Sequence, residues 1–271
     1  MIEFSQVDFS YALEQPPLLK DVSFQIREGE FIAVLGRNAS GKSTLARLFN
    51  GLLLPDRGNV KIDEMDTGNP EKLFAIRQKV GFLFPSPDRQ LIADMVEDEV
   101  AFVLENLGLP ASDIRERVDA ALEMVAMENY RKHPPSLLSG GQKQKICIAG
   151  ILSMRPKYMV LDEPTSRLDP AERIDILATL MKLKAEWGLT LIYITHHVEE
   201  IVAADRVFIL QNCRADSFSL SELLEKQEYL LQLGIEPPEI SRLIYLLNRD
   251  ERFVIPYEVV SAADLVNFLC R

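Results

Sequence analysis

Apolar residues in the first third of the chain recur at short intervals, in IEFSQVDFSY (2–11) and VSFQI (22–26), as strands require. FIAVLG, Phe31 to Gly36, is a nearly continuous apolar run closed by glycine, the pattern of a strand buried on both faces. The period then changes: Leu45, Leu48, Phe49 and Leu52 fall at i, i+3, i+4 and i+7, which predicts a helix starting just after Gly41. From about residue 85 to 153 the pattern stays helical, with Val118, Ala121, Leu122 and Val125 on one stripe and Gly108, Pro110, Pro134 and Pro135 as punctuation, so a helical subdomain is expected there. YMVL (158–161), TLIYIT (190–195) and RVFIL (206–210) predict three further strands, and Ile174, Leu177, Ala178 and Met181 mark one face of a helix between the first two. Strands alternating with helices imply an α/β fold built on a mostly parallel sheet covered on both sides.

Beyond about Asn212 only short helices are expected. One stripe joins Ile240, Leu243, Ile244 and Leu247, another Ala262, Leu265, Val266 and Leu269. They either pack on the chain's own sheet or form an oligomerisation appendage. The division expected is therefore a domain over 1–212 and a helical extension over 213–271.

Bulk properties narrow the function classes. With 271 residues, 47% of them hydrophobic and 26% charged, the chain can bury a large core and resembles ordinary globular proteins. Thirty basic against 41 acidic residues give a net charge of −11, which argues against a nucleic-acid or anionic-lipid surface. No apolar run reaches membrane-span length, and Met1 to Asp8 lacks the make-up of a signal peptide. Cys147, Cys213 and Cys270 are widely spaced and odd in number, which fits a reducing cytosol.

Candidate chemistry sits where the strand pattern gives way to the helix pattern. GRNASGKST, with Gly36, Gly41, Lys42 and Ser43 at the fixed positions of a phosphate loop, lies between the Phe31–Gly36 run and the following helix. Its backbone N–H groups, those of Arg37, Asn38, Ala39, Ser40 and Thr44 included, are expected to cradle phosphate oxygens; Lys42 would neutralise the β and γ phosphates and Ser43 would bind Mg²⁺. Such a loop alone does not separate a kinase from a GTPase or a motor ATPase. MVLDEP does more: it places Asp162 at a strand exit to hold Mg²⁺, and Glu163 beside it to take a proton from attacking water. His196, at the end of TLIYITHH, can donate to a γ-phosphate. A second anion site is also legible, because in LLSGGQKQK Ser139 can cap a helix whose first N–H groups are exposed by Gly140 and Gly141.

These elements together resemble the ATP-binding-cassette family from about Ile2 to Leu210. GRNASGKST is similar to its first Walker motif, LSGGQ (with Ser139, Gly140, Gly141 and Gln142) to its signature, and YMVLDEP to its second Walker motif. SRLD, ending at Asp169, resembles its D-loop, Thr195–His196 its switch histidine, and Tyr11 the aromatic position that stacks on adenine. The resemblance implies a P-loop cassette with an antiparallel N-terminal part and a helical signature subdomain. It also implies ATP and Mg²⁺ as ligands, and head-to-tail pairing in which one cassette's signature completes the other's site.

Residues 80–110 and LGIEPPEISRL further resemble the ATPase subunits of energy-coupling-factor transporters. That implies uptake of a vitamin or transition-metal ion, an integral-membrane coupling subunit, a substrate-binding membrane subunit, and a peripheral position on the cytoplasmic face of the cell membrane. Two positions depart from the family pattern. Pro85, in FPSP, stands where the family has a glutamine that holds Mg²⁺ and water, and Arg167 stands in the D-loop where a small residue is usual. Gln90 could replace that glutamine only through a shifted loop. A weakened site of its own, or a heterodimer with a different cassette, is therefore expected ahead of a homodimer. The rival readings are a non-transport cassette ATPase acting on DNA or ribosomes, a regulatory ATP-binding module, and a small-molecule P-loop kinase.

Overall fold

The structure, a computed structural model, describes residues 1–12, 16–250, 253–257, 259 and 261–270. Strands β1 (Ile2–Phe9), β2 (Leu19–Ile26), β4 (Arg57–Ile62) and β5 (Met65–Asp66) form an antiparallel sheet ordered β2-β1-β4-β5. Six more strands, β3 (Phe31–Leu35), β6 (Val80–Leu83), β7 (Tyr158–Asp162), β8 (Thr190–Ile194), β9 (Arg206–Gln211) and β10 (Arg214–Phe218), form the central sheet, ordered β10-β9-β3-β8-β7-β6. It is parallel throughout except for β10, which closes one edge as the antiparallel arm of a hairpin.

Both faces of the central sheet are covered, which is why its strands read as unbroken apolar runs. Alternate residues divide between two cores: Ile32 and Val34 of β3 join the antiparallel sheet and helix α1 (Lys42–Leu48), while Phe31, Ala33 and Leu35 join the helices on the other face. Phe24 ties the two sheets together, with ring centroids 4.5 Å from Phe4 and 4.6 Å from Phe208. The second core is closed by α3 (Val96–Asn106), α4 (Ala111–Met124), α5 (Gly140–Ser153) and α6 (Pro170–Trp187). Helix α2 (Pro70–Lys79) runs into β6. Cys147 is buried in α5, where burial and the charges of Glu99 and Asp88 push its thiol up to about 12, so it behaves as an inert core residue.

Several details differ from the sequence pattern. Leu52 lies beyond the end of α1 and is 43% exposed, because the chain turns at Gly51 with positive φ before the fourth position of the stripe is reached. In α6 the buried residues are Ile176, Leu180 and Leu183; of the expected face Leu177 and Met181 pack partly buried against the same core, whereas Ile174 and Ala178 are exposed, so the buried stripe is rotated from the expected one. The segment after Asn212 is not purely helical, since Arg214–Phe218 forms β10, whose polar, half-exposed residues carry no strand signal. The hairpin turn itself is built on Asn212 and Cys213, both with positive φ, in place of an Asn-Gly pair.

The extension holds α7 (Leu220–Glu225), α8 (Gln227–Gln232), α9 (Glu239–Asn248) and α10 (Ala262–Leu269). Its first two helices pack Leu223, Leu224 and Leu230 into the core of the main sheet. The last two enclose a small cluster of their own around Ile244, Ile255 and Leu265, and leave Leu243, Leu246, Val266, Phe268 and Leu269 exposed. Among the described residues, no helix is long and apolar enough to cross a membrane.

Candidate functional site

Between β3 and α1 the chain curls back on itself. Gly36 cannot carry a side chain, because a Cβ there would lie 2.6 Å from the Leu210 carbonyl oxygen and 2.7 Å from Ser40 Oγ. Ala39 and Gly41 adopt positive φ, and Gly41 ends the loop as the N-cap of α1 with no side chain capping the first turn. The first N–H groups of that helix therefore face the loop's concavity, the arrangement that accepts an anion. Lys42 is 5% exposed, and its ammonium donates to the carbonyls of Gly36 at 2.8 Å and Arg37 at 3.0 Å. Burial lowers its pKa, while the carboxylates of Glu163 and Asp162 act the other way.

The exit of β7 meets this loop. Ser43 Oγ donates to Asp162 Oδ1 at 3.0 Å, and Asp162 is fully buried. Its other oxygen, Oδ2, is buried without a hydrogen-bond partner. Burial pushes this carboxyl up, opposed by the Ser43 hydrogen bond and helped by the charge of Glu163. An orphaned carboxylate oxygen beside a serine hydroxyl is a donor set that fits a hard divalent cation such as Mg²⁺. Glu163 takes positive φ and anchors its own N–H on the Ile194 carbonyl at 3.0 Å. Its Oε1 lies 3.7 Å from His196 Nδ1, so the two residues at neighbouring strand ends face each other without yet sharing a hydrogen bond.

A cavity of about 400 Å³ brings together Tyr11, Leu18, Asn38, Ala39, Gly41, Lys42, Ser43, Thr44 and Glu163. Tyr11 is 58% exposed, and its hydroxyl is within 2.9 Å of Thr44 Oγ1, which fixes the ring above the loop. Arg37 and Ser40 line a different cavity on the loop's other side, next to Gln211, Asn212 and Tyr229.

Ser139, Gly140, Gly141 and Gln142 do not line the Lys42 cavity. They open α5 with a capping box: Ser139 Oγ accepts from Gln142 N at 3.2 Å, and Gln142 Oε1 accepts from Ser139 N at 3.0 Å. Asp169 is the N-cap of α6 and accepts from Glu172 N at 2.9 Å. Pro85 lies just past the Leu83–Leu161 register pair. Gln90 Oε1 accepts from Phe84 N at 3.3 Å, so that side chain folds against the end of its own strand. Arg167 Nη1 donates to Ser86 Oγ at 3.3 Å, bracing the D-loop segment against the segment after β6.

Glu200 is a residue that motif reasoning passes over. It is fully buried, four residues after His196, and accepts from Thr165 at 2.6 Å, Thr195 at 2.6 Å and Tyr193 at 3.1 Å. Arg173 Nε stands 3.3 Å from its Oε1 without hydrogen-bond geometry, so that contact is coulombic. One carboxylate thus ties together the residues after Glu163, the residue before His196, and α6. The available signal was a charge placed between Val198 and Ile201, both buried.

Loop, carboxylates and strand order define the class as a P-loop nucleotide-binding protein. Residues 19–166 match the family model described as ABC transporter, and the chain belongs to that family. Energy-coupling factor transporter ATP-binding protein EcfA1 of Caldanaerobacter subterraneus subsp. tengcongensis is 44% identical, the match covering 100% of this chain and 99% of that protein. EcfA of Syntrophomonas wolfei is 45% identical with the same coverage, 100% and 99%. Among solved structures, cbiO1 from Clostridium perfringens, part of the ABC transporter complex cbiONQ, superposes with a TM-score of 0.79 at 33% identity, covering 90% of this chain and 98% of that one. The cassette MJ0796, solved as a dimer in a post-hydrolysis state bound to ADP and Pi, gives 0.72 at 30% identity, covering 81% and 99%.

Proposed function

We propose that this chain is the ATP-hydrolysing subunit of an importer of the energy-coupling-factor type, driving uptake of a vitamin or transition-metal ion through membrane partners. One observation carries the reading: Lys42, Ser43, Asp162, Glu163 and His196 converge at the loop between β3 and α1. Lys42 now satisfies its ammonium on two loop carbonyls and can exchange them for phosphate oxygens. Tyr11 offers a half-open aromatic face for adenine. Ser43 and Asp162 would hold Mg²⁺, which supplies charge neutralisation at the phosphates. Glu163, lining the same cavity, accepts the proton of the attacking water, and His196 donates to the departing phosphate. A second cassette then supplies Ser139, Gly140, Gly141 and Gln142 from its own α5, with Asp169 at the same junction.

Membrane attachment runs through protein, on the cytoplasmic face. Support comes from the exposed apolar residues Phe84, Ile92, Met95 and Phe102, carried by the segment from the end of β6 into α3, a surface fit for helices of a coupling subunit. The exposed apolar residues of α9 and α10 suit a second contact between cassettes. Pro85 offers no side-chain donor or acceptor, and Gln90 is committed to Phe84, so the pairing we favour is with a different cassette that has a complete site of its own.

Turnover of the purified chain, of its native assembly and of Glu163→Gln versions of both tests this reading. The assembly should hydrolyse ATP, lose about 10²–10⁴-fold on Glu163→Gln if this site is the active one, and lose little if the partner's site does the work. Absence of turnover in every preparation would overturn the proposal.

A further inference from the structure

The donors assigned above to a partner's terminal phosphate are already engaged. Ser139 Oγ donates to Glu172 Oε1 at 2.8 Å, and Gly141 N donates to the same oxygen at 3.1 Å. One carboxylate oxygen thus sits where the start of α5 collects its donors. Gly141 makes the approach possible, since a Cβ there would lie 2.7 Å from Glu172 Cδ.

The position of Glu172 in its own helix shows that this contact is not its local default. Asp169 caps α6, and Glu172 stands three residues later, where a glutamate ordinarily reaches back to the N-cap's N–H. Gln142 does so at α5 and Glu222 does so at α7. In α6 only the backbone half of the box forms, Glu172 N to Asp169 Oδ1 at 2.9 Å, and the carboxylate crosses to α5 instead. Lys145 and Asp175 pair at 2.7 Å between the same two helices and hold them side by side.

We propose that Glu172 is an internal competitor for the terminal phosphate of the nucleotide gripped by the partner cassette, and so sets how much ATP is needed to close the pair. The inference rests on the reading that Ser139 and Gly141 act in trans. Two anions cannot share one hydroxyl and one N–H, so the carboxylate must leave before the phosphate arrives. The apparent affinity is then reduced by the fraction of signatures that are free. Because Glu172 stands three residues after Asp169, its release occurs next to the loop that leads back to Glu163, which links partner arrival to the catalytic carboxylate's own segment.

The test uses the purified assembly with Glu172→Gln, which keeps size and removes charge, and Glu172→Asp, which keeps charge and shortens the reach. Both should lower the ATP concentration for half-maximal turnover by about three- to tenfold without reducing kcat. With Glu163→Gln in this chain and the catalytic carboxylate of the partner cassette likewise replaced, so that turnover is arrested at both sites, sedimentation velocity should show closed cassette pairs at correspondingly lower ATP. A merely structural Glu172 would instead lower the melting temperature and leave both ATP thresholds unchanged or raised. Unchanged thresholds in an assembly with normal ATP turnover overturn the competitor role. Loss of all ATP-driven closure in the unmodified assembly overturns the trans reading, and the competitor with it.

Discussion

Replacing Glu200 should cost both stability and catalysis, by amounts that follow from its surroundings. The side chain is fully buried, accepts from three hydroxyls and faces Arg173, whose side chain is 21% exposed. Glu200→Ala leaves a guanidinium and three donors behind. Stranding one member of a buried pair costs about 3–5 kcal/mol, and the partial exposure of Arg173 places this case near the lower end. Thr165 and Tyr193 hydroxyls lie 3.2 Å apart and can still serve each other, which limits the remainder. At about 2–4 °C per kcal/mol for a protein of this size, the melting temperature should fall by about 6–12 °C. Glu200→Gln keeps an acceptor and loses the charge, so about a third of that shift is expected. Catalysis should suffer more than binding. Thr195 Oγ1 both donates to Glu200 and accepts from His197 N at 3.1 Å, so the loop carrying His196 loses its tether while the Lys42 loop is untouched. Differential scanning fluorimetry with steady-state ATPase measurements reads both effects: kcat should drop at least about tenfold with KM little changed. A Glu200→Ala protein that melts within about 2 °C of the parent and turns over normally would refute the reasoning.

Two further outcomes follow from other parts of the molecule. Gly36→Ala places a methyl 2.6 Å from the Leu210 carbonyl oxygen, so the loop must shift; nucleotide binding measured by calorimetry should weaken at least about tenfold, and unchanged affinity would contradict the tight-approach argument. Asp63 is the centre of a cationic cluster at the amino terminus. Burial alone would raise its pKa, but hydrogen bonds from Lys79, the Met1 amino group, Tyr158 and Lys157 hold it well below the usual carboxylate range. A depressed folded-state pKa contributes stability that is complete above the unfolded value and is lost as pH falls through the folded one. The melting-temperature gap between the parent and Asp63→Asn should therefore be constant near neutral pH and close progressively below about pH 4; a gap independent of pH would refute that cause.

Much of this was legible in the residues, for reasons that differ by element. FIAVL and YMVLD are apolar because both faces of the central sheet are covered, so their placement as buried strands needed no tertiary information. GRNASGKST, MVLDEP and LSGGQ carry fixed spacings imposed by the backbone shapes they form. By contrast, β10 is a polar edge strand whose turn uses Asn212 and Cys213, and α6 carries apolar residues on both the expected and the buried stripe, so only packing decides how the helix is rotated. Glu200 and Glu172 were invisible for a further reason. Each is an ordinary acidic residue in sequence, and its importance comes from partners 5 to 35 residues away, or 31 to 33, brought close by the fold.

Whether the nucleotide is shared between two cassettes is tested most directly by cross-linking. Cysteines at Asn38, in the phosphate loop, and at Leu137, which is 77% exposed beside the signature, would be placed in one chain of the assembly, with Glu163→Gln and the matching replacement in the partner cassette to arrest turnover and Cys270→Ser to remove the exposed thiol. A short bifunctional reagent followed by peptide mapping then shows which positions meet. Both cysteines should link to the partner cassette, only when MgATP is present, with no bond between positions 38 and 137 of the same chain. A 38–137 link within one chain, or partner links indifferent to MgATP, would contradict a shared nucleotide.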